Sequence, residues 1–184
     1  MNNSVKHRKK VLMHICCAPC SIYTLKRLRE EDADVFGYFF NPNIHPYTEF
    51  KKRLVTLQSY VRTSLLPLEI DTAYDLEAFL RGALDHGKDR CLFCYRIRLE
   101  KTFEKGVKDG ADAVTTTLLY SKYQRHDDIR MIGEELSSTY GIPFLYRDFR
   151  KGWKEGIEES KALNMYRQPY CGCIFSEKER YGGG

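Results

Sequence analysis

Thiols dominate the chemistry open to this chain. Its seven cysteines fall in three tight groups: Cys16, Cys17 and Cys20; Cys91 and Cys94; Cys171 and Cys173. Groups of this kind, far apart in sequence, usually meet again in space around a metal or a redox centre. Cys17-Ala-Pro-Cys20 and Cys91-Leu-Phe-Cys94 both have the spacing Cys-x-x-Cys. One such motif is weak evidence, but two in one short chain point to a thiolate-ligated site. Tetrahedral thiolate sites hold zinc or iron–sulfur. A structural zinc normally clamps a small loop-rich unit. Here the motifs belong to a chain that can build its own core, which favours a working cluster. Cys20 has three open readings: cluster ligand, ligand of a second metal, or inert buried thiol.

Cys171-Gly-Cys173 is different in kind. A disulfide across one residue closes a small strained ring and is readily reduced. The intervening glycine permits the backbone this needs. The pair reads as a redox-active dithiol that relays electrons; two free thiols or two further metal ligands are the alternatives.

Other polar residues are weighed the same way. His14 lies in an apolar run, where a hydrogen-bonded core histidine is commoner than a ligand. Asn43, His45 and Glu49 follow a strand and either touch substrate or a second metal, or cap a turn before a helix. Thr115, Thr116 and Thr117 suit a strand through β-branching alone. Residues 121–126 are denser in polar function than a turn requires, and Lys122, Arg125 and Arg130 suit phosphate contact. The run Tyr166-Arg-Gln-Pro-Tyr170 suits a stacked base, or a packed loop.

These residues need elements to hold them. Strands are expected at residues 11–15, 34–40, 66–70, 113–119 and 143–146. Helices are expected at 21–31, 47–64, 75–84, 91–108, 127–140 and 153–163. Alternation of this kind implies a mostly parallel sheet of about five strands covered on both faces: an α/β, doubly wound, three-layer fold, Rossmann-like or HUP-like. In such sheets ligands bind beyond the carboxyl ends of the strands. Residues 14–20 and 115–124 both fall there, so the active site is expected at that edge.

The 184 residues and 42% apolar content suit one domain, with residues 182–184 as a flexible tail. The net charge of +5 is too modest to identify a nucleic-acid partner by itself. No stretch approaches the ~20 apolar residues of a membrane helix. The short apolar run after the basic N-terminus reads as a strand rather than a signal peptide. An odd number of cysteines without such a signal argues for a reducing, cytoplasmic home.

Several segments together resemble one family. His14-Ile-Cys-Cys-Ala-Pro-Cys20, Asn41-Pro-Asn-Ile-His-Pro46, Arg90-Cys-Leu-Phe-Cys-Tyr-Arg-Ile-Arg-Leu99, Thr115-Thr-Thr-Leu118 and Tyr166-Arg-Gln-Pro-Tyr-Cys-Gly-Cys173 are similar to the cobalamin-independent epoxyqueuosine reductases. The resemblance runs from Val11 to Ser176. It implies reduction of the epoxide of epoxyqueuosine to the alkene, at the wobble position of tRNA. It further implies a 4Fe–4S cluster on Cys16, Cys17, Cys91 and Cys94, Cys171 and Cys173 as the redox-active pair, and a second metal ion, iron, beside the cluster. The partners implied are a tRNA carrying epoxyqueuosine and an electron donor. Spacing alone would choose Cys17 and Cys20 over Cys16 and Cys17. Two rival readings are a tRNA sulfur-inserting enzyme with an iron–sulfur cluster and a zinc-stabilised RNA-binding module without catalysis. The first would need a Gly-rich phosphate loop where this chain has Cys-Cys-Ala-Pro-Cys.

Overall fold

A computed structural model describes residues 8–183. The N-terminal segment before Arg8, and Gly184 of the expected tail, lie outside the described residues. Strand β1 (Lys10–His14) is central. It pairs in parallel with β2 (Asp34–Phe39) on one side and with β4 (Ala113–Thr116) on the other. β3 (Leu68–Ile70) adds to the far side of β2, so the order is β3-β2-β1-β4. Register is set by pairs such as Val11 with Val35 and Val11 with Ala113. Val11, Met13, Ala113 and Val114 are fully buried, as strands covered on both faces require.

Seven α-helices are described: α1 (Ala18–Glu30), α2 (Tyr47–Ser64), α3 (Leu76–Asp85), α4 (Arg90–Asp109), α5 (His126–Tyr140), α6 (Trp153–Ala162) and α7 (Ile174–Tyr181). α1 packs on α2 and α6, while α4 packs on α3, α5, β1 and β4. The sheet is thus the middle of three layers. Successive strands β1 to β3 step one way and β4 lies on the other side of β1. The crevice at the carboxyl ends of β1 and β4 is therefore the topological switch point, where a ligand site is expected.

Four expectations need correction. Residues 143–146 form no full strand and contribute one parallel bridge, Val114 to Phe144. Pro143 has no N–H to extend the ladder, though its carbonyl accepts from Val114 N at 2.9 Å. β4 stops at Thr116, where β1 also runs out, and Thr117–Tyr120 becomes a 3₁₀ turn capped by the Thr116 hydroxyl accepting from Leu118 N. α1 begins at Ala18, earlier than expected, because Pro19 fits the first helical turn. α7 was not anticipated. Cys173 caps it, with Glu177 in its first turn and Lys178 and Arg180 in its last.

Candidate active site

The first thiol group forms where β1 hands over to α1. Cys17 is the N-cap of α1, in extended conformation, and Cys20 lies in the first turn. The three sulfurs of Cys16, Cys17 and Cys20 lie within 4.8 Å of one another and all three residues are buried. The 3₁₀ turn after β4 braces this corner from the side: Cys16 N donates to Thr117 Oγ1 at 3.0 Å, and that hydroxyl lies 3.2 Å from Cys16 Sγ. From the C-terminal segment, Gln168 Nε2 lies 2.8 Å from Cys17 Sγ and 3.6 Å from Cys20 Sγ. Hydrogen bonds from the Cys17 and Cys20 thiols hold Cys16 well below the ordinary thiol range, with help from the Arg98 charge and against its burial. Cys17 is pushed up, chiefly by burial, and Cys20 is pushed up, chiefly by its hydrogen bonds to the other two sulfurs. The corner therefore gathers three sulfurs, with Cys16 the most acidic of them, a soft donor set suited to a metal.

The second group stands at the start of α4. Cys91 and Cys94 line a cavity together with Cys171, Cys173, Asn43 and Arg98. Burial raises the Cys94 thiol to about 11 and Cys91 in the same direction. Both occupy the N-terminal turn of a 20-residue helix, whose dipole favours a thiolate ligand. Arg98 is one turn further along α4. Its Nη1 lies 3.8 Å from Cys94 Sγ and its Nη2 donates to Asn41 Oδ1 at 2.8 Å. Its charge also reaches Cys16. Of the four expected cluster ligands, then, Cys16 and Cys17 group with Cys20, and Cys91 and Cys94 group with the dithiol. Arg98 borders both groups.

The dithiol segment crosses over the carboxyl end of β2 and is tied down at several points. Gly172 has φ of +134°, and a Cβ there would lie 3.1 Å from Asn43 Nδ2 and 3.2 Å from Arg53 Nη1. Only glycine suits that position. Arg53, on α2, donates from Nη1 to Cys171 O at 3.0 Å and from Nη2 to Tyr170 O at 3.1 Å. Glu49, one turn earlier, accepts from Arg53 Nε at 2.7 Å and from the Tyr166 hydroxyl. His45 N donates to Gly172 O at 2.8 Å, and the Tyr170 hydroxyl donates to His45 O. Cys171 and Cys173 are both free thiols. The Cys173 thiol, followed by the Ser176 hydroxyl, lowers Cys171 to about 5, while Cys173 is raised by that same hydrogen bond and by burial.

Other expected residues divide. His14 is a satisfied core histidine: Nδ1 meets Thr116 Oγ1 at 2.8 Å and Nε2 meets Phe40 O at 3.2 Å. Burial, then the Arg98 charge, lowers it to about 3, so it stays neutral. His45 is buried, with its ring against Tyr74 and Phe79 and neither nitrogen in a hydrogen bond of normal geometry. Among the basic residues expected at phosphate, Arg125 pairs with Asp128 and Arg130 with Glu134, whereas Lys122 Nζ sits over the rings of Tyr123 and Trp153. Tyr123 is 75% exposed, and its neighbour Gln124 lines the thiol cavity.

Arg53 and Arg98 were not singled out from sequence as site residues. A signal existed for both, because each lies four residues after a polar partner on a helix, Glu49 and Cys94 respectively, and so shares its face. Among the described residues, no helix is long and apolar enough to cross a membrane.

The chain is similar to known proteins over most of its length. The family model described as epoxyqueuosine reductase QueH matches residues 11–179. The chain is 33% identical to the epoxyqueuosine reductase QueH of Dehalococcoides mccartyi over 173 residues, 94% of this chain and 95% of that one. It is 35% identical to the protein of that name from Thermotoga maritima over 179 residues, 92% and 91% of the two chains. Among solved structures, the U34-tRNA thiolase NcsA from Methanococcus maripaludis superposes with a TM-score of 0.59 at 12% identity, covering 96% of this chain and 64% of that one. A predicted subunit of tRNA methyltransferase from Methanocaldococcus jannaschii gives 0.58 at 11% identity, covering 83% and 74%. Those two likenesses speak to the three-layer α/β fold alone. With its thiol motifs inside the matched region, this chain belongs to the epoxyqueuosine reductase QueH family.

Proposed function

We propose that this chain reduces the epoxide of epoxyqueuosine in tRNA to the alkene of queuosine, with the thiols at the β1–β4 edge as its redox centre. The observation that carries this is the meeting of all three cysteine groups at one edge: a buried triad, and a cavity lined by the other four thiols. The overall change is an epoxide plus two electrons and two protons giving an alkene and water. A dithiol closing to a disulfide releases that same pair of electrons and pair of protons, so Cys171 and Cys173 balance the reaction for one turnover. An electron donor must then restore the dithiol.

The donor set fits a thiolate-ligated iron–sulfur cluster, because the thiols are free, Cys16, Cys17 and Cys20 are closely grouped, Cys91 and Cys94 line the neighbouring cavity, and Cys16 is drawn toward the thiolate form. Cys16, Cys17, Cys91 and Cys94 would hold a 4Fe–4S cluster, and an iron ion would lie beside it. When bound, these groups supply single-electron transfer and Lewis acidity for the departing oxygen. The protein's own residues do the rest. Arg53 and Glu49 seat the dithiol segment, and Gln168 donates toward Cys17 and Cys20. Lys122 and the exposed Tyr123 offer a cation and a ring to the tRNA backbone and bases beside the cavity. The modified base must leave its stack to reach the thiols. A tRNA substrate and seven free thiols both suit the reducing cytoplasm.

The test is anaerobic purification followed by iron and sulfide analysis and visible spectroscopy. A brown, iron-containing protein is expected. Cys91→Ser or Cys94→Ser should bleach it, and Cys20→Ser should keep its iron if the four ligands are as proposed. Cys173→Ser should stay brown and lose turnover. A colourless protein holding only zinc, or full activity in Cys173→Ser, would overturn the proposal.

A further inference from the structure

Two arginines are buried at this site, and their surroundings differ. Arg53 is 2% exposed and has a carboxylate partner in Glu49, besides two backbone carbonyls. Arg98 is as deeply buried, at 3%. Its guanidinium meets one neutral amide oxygen, Asn41 Oδ1, and one sulfur, Cys94 Sγ, while Nε has no partner. Among the described residues, no carboxylate pairs with Arg98. Guanidinium does not lose its proton in proteins. A buried cation without a counter-charge carries a large desolvation penalty, and such an arrangement persists only where something compensates it.

What surrounds Arg98 indicates the missing anion. It lies on α4 one turn beyond Cys94, and its field reaches the Cys16 corner across the crevice. It therefore borders both groups of proposed metal ligands, and among the described residues it has no carboxylate partner. Its planar fork also suits the place. Two nitrogens engage Asn41 and Cys94 at once, which a lysine ammonium on a flexible stem would not reproduce.

We propose that Arg98 is the resident counter-charge of the thiolate-bound centre. The cation is built into the fold, and the thiolates with the metal centre they hold supply the anion that no carboxylate among the described residues provides. The inference rests on the cluster reading given above. An iron–sulfur core with four thiolate ligands is a net anion, and each electron it accepts adds negative charge. Net charge and hydrogen bonds to sulfur are among the levers that set the potential of such a centre. A fixed cation at this point favours the reduced level. Arg98 is thus a positioning and tuning residue, not a ligand.

Two measurements on Arg98→Met and Arg98→Lys test this. In urea unfolding of the metal-free proteins, Arg98→Met should be at least as stable as the wild type, because a buried uncompensated charge has been replaced by an apolar chain of similar reach. After anaerobic reconstitution, a spectroelectrochemical titration should show the equilibrium constant for reducing the centre falling by at least about tenfold in Arg98→Met, which is about 59 mV for one electron. Arg98→Lys should lose less than Arg98→Met, because beside the anionic centre it keeps the charge without the two-nitrogen fork. An Arg98→Met variant whose metal-free form is as stable as the wild type, yet which takes up little iron on reconstitution, would also support the role. The inference is overturned if metal-free Arg98→Met is destabilised or fails to fold, because Arg98 would then be a structural prop for Asn41. It is equally overturned if the reconstituted variant is reduced at the wild-type potential. A wild-type protein that takes up no iron would instead sink the cluster reading, and the stability comparison would still decide whether Arg98 lacks a counter-charge.

Discussion

Replacing Arg53 by methionine separates the seating of the dithiol from the stability of the fold. The Arg53–Glu49 pair has side chains 1% and 7% exposed, at 2.7 Å. Removing one member of a buried pair strands the other, at a cost of about 3–5 kcal/mol. Arg53→Met should therefore lose that much in urea unfolding. The double variant Glu49→Leu, Arg53→Met strands no charge, and replacing a buried pair by apolar side chains is often neutral, so most of the global loss should return. The dithiol segment should not recover. It loses hydrogen bonds from a cation to the Cys171 and Tyr170 carbonyls. At about 1.5 kcal/mol or more each, these shift its opening by about 3 kcal/mol, roughly two orders of magnitude. The His45 amide, which donates to Gly172 O at 2.8 Å, reports that opening directly. Its hydrogen exchange should accelerate about a hundredfold in the double variant while core amides keep wild-type protection. The reasoning is refuted if the double variant is as unstable as the single one, or if the His45 amide exchanges at the wild-type rate.

Two further outcomes are expected. Gly172→Ala forces an L-residue to a φ of +134° and sets a methyl group against Asn43 and Arg53. It should cost about 1–3 kcal/mol locally, speed tryptic cleavage at Arg167 and abolish turnover with iron content unchanged; normal turnover would show that the segment tolerates another path. Binding of tRNA should weaken steeply with salt, and Lys122→Ala should lower the slope of log K against log salt by about one; an unchanged slope would remove Lys122 from phosphate contact.

The parts of this fold that sequence reveals are those governed by periodicity and caps. Helix α2 runs from Tyr47 to Ser64 as its apolar spacing indicates, and Asp75 caps α3 through Ala78 N. The places where it misleads are those where a neighbour decides. The apolar run after Thr116 has strand composition, but β1 offers no further rung, so it coils into a 3₁₀ turn. Residues 143–146 are apolar enough for an edge strand, yet proline leaves them one bridge. At the site, cysteine spacing identified every thiol but not its company. Cys20 joins Cys16 and Cys17 because all three flank the first turn of α1. That Cys91 and Cys94 face Cys171 and Cys173 depends on how the C-terminal segment folds back, which no local pattern encodes. The two buried arginines lay hidden among 30 basic residues, since burial is a tertiary property.

The tethers on the Cys-Gly-Cys segment end almost entirely on main-chain atoms. Arg53 grips the carbonyls of Tyr170 and Cys171, His45 meets that of Gly172, and the Tyr170 ring reaches back to the His45 carbonyl. Among the described residues outside the pair, Ser176 is the one that hydrogen-bonds to the sulfurs themselves. On the proposed dithiol role, joining or parting the two sulfur atoms would leave these main-chain moorings in place. The peptide that carries them would then have no need to detach and re-dock between oxidation levels, and each turnover of the proposed reaction would begin from the same berth.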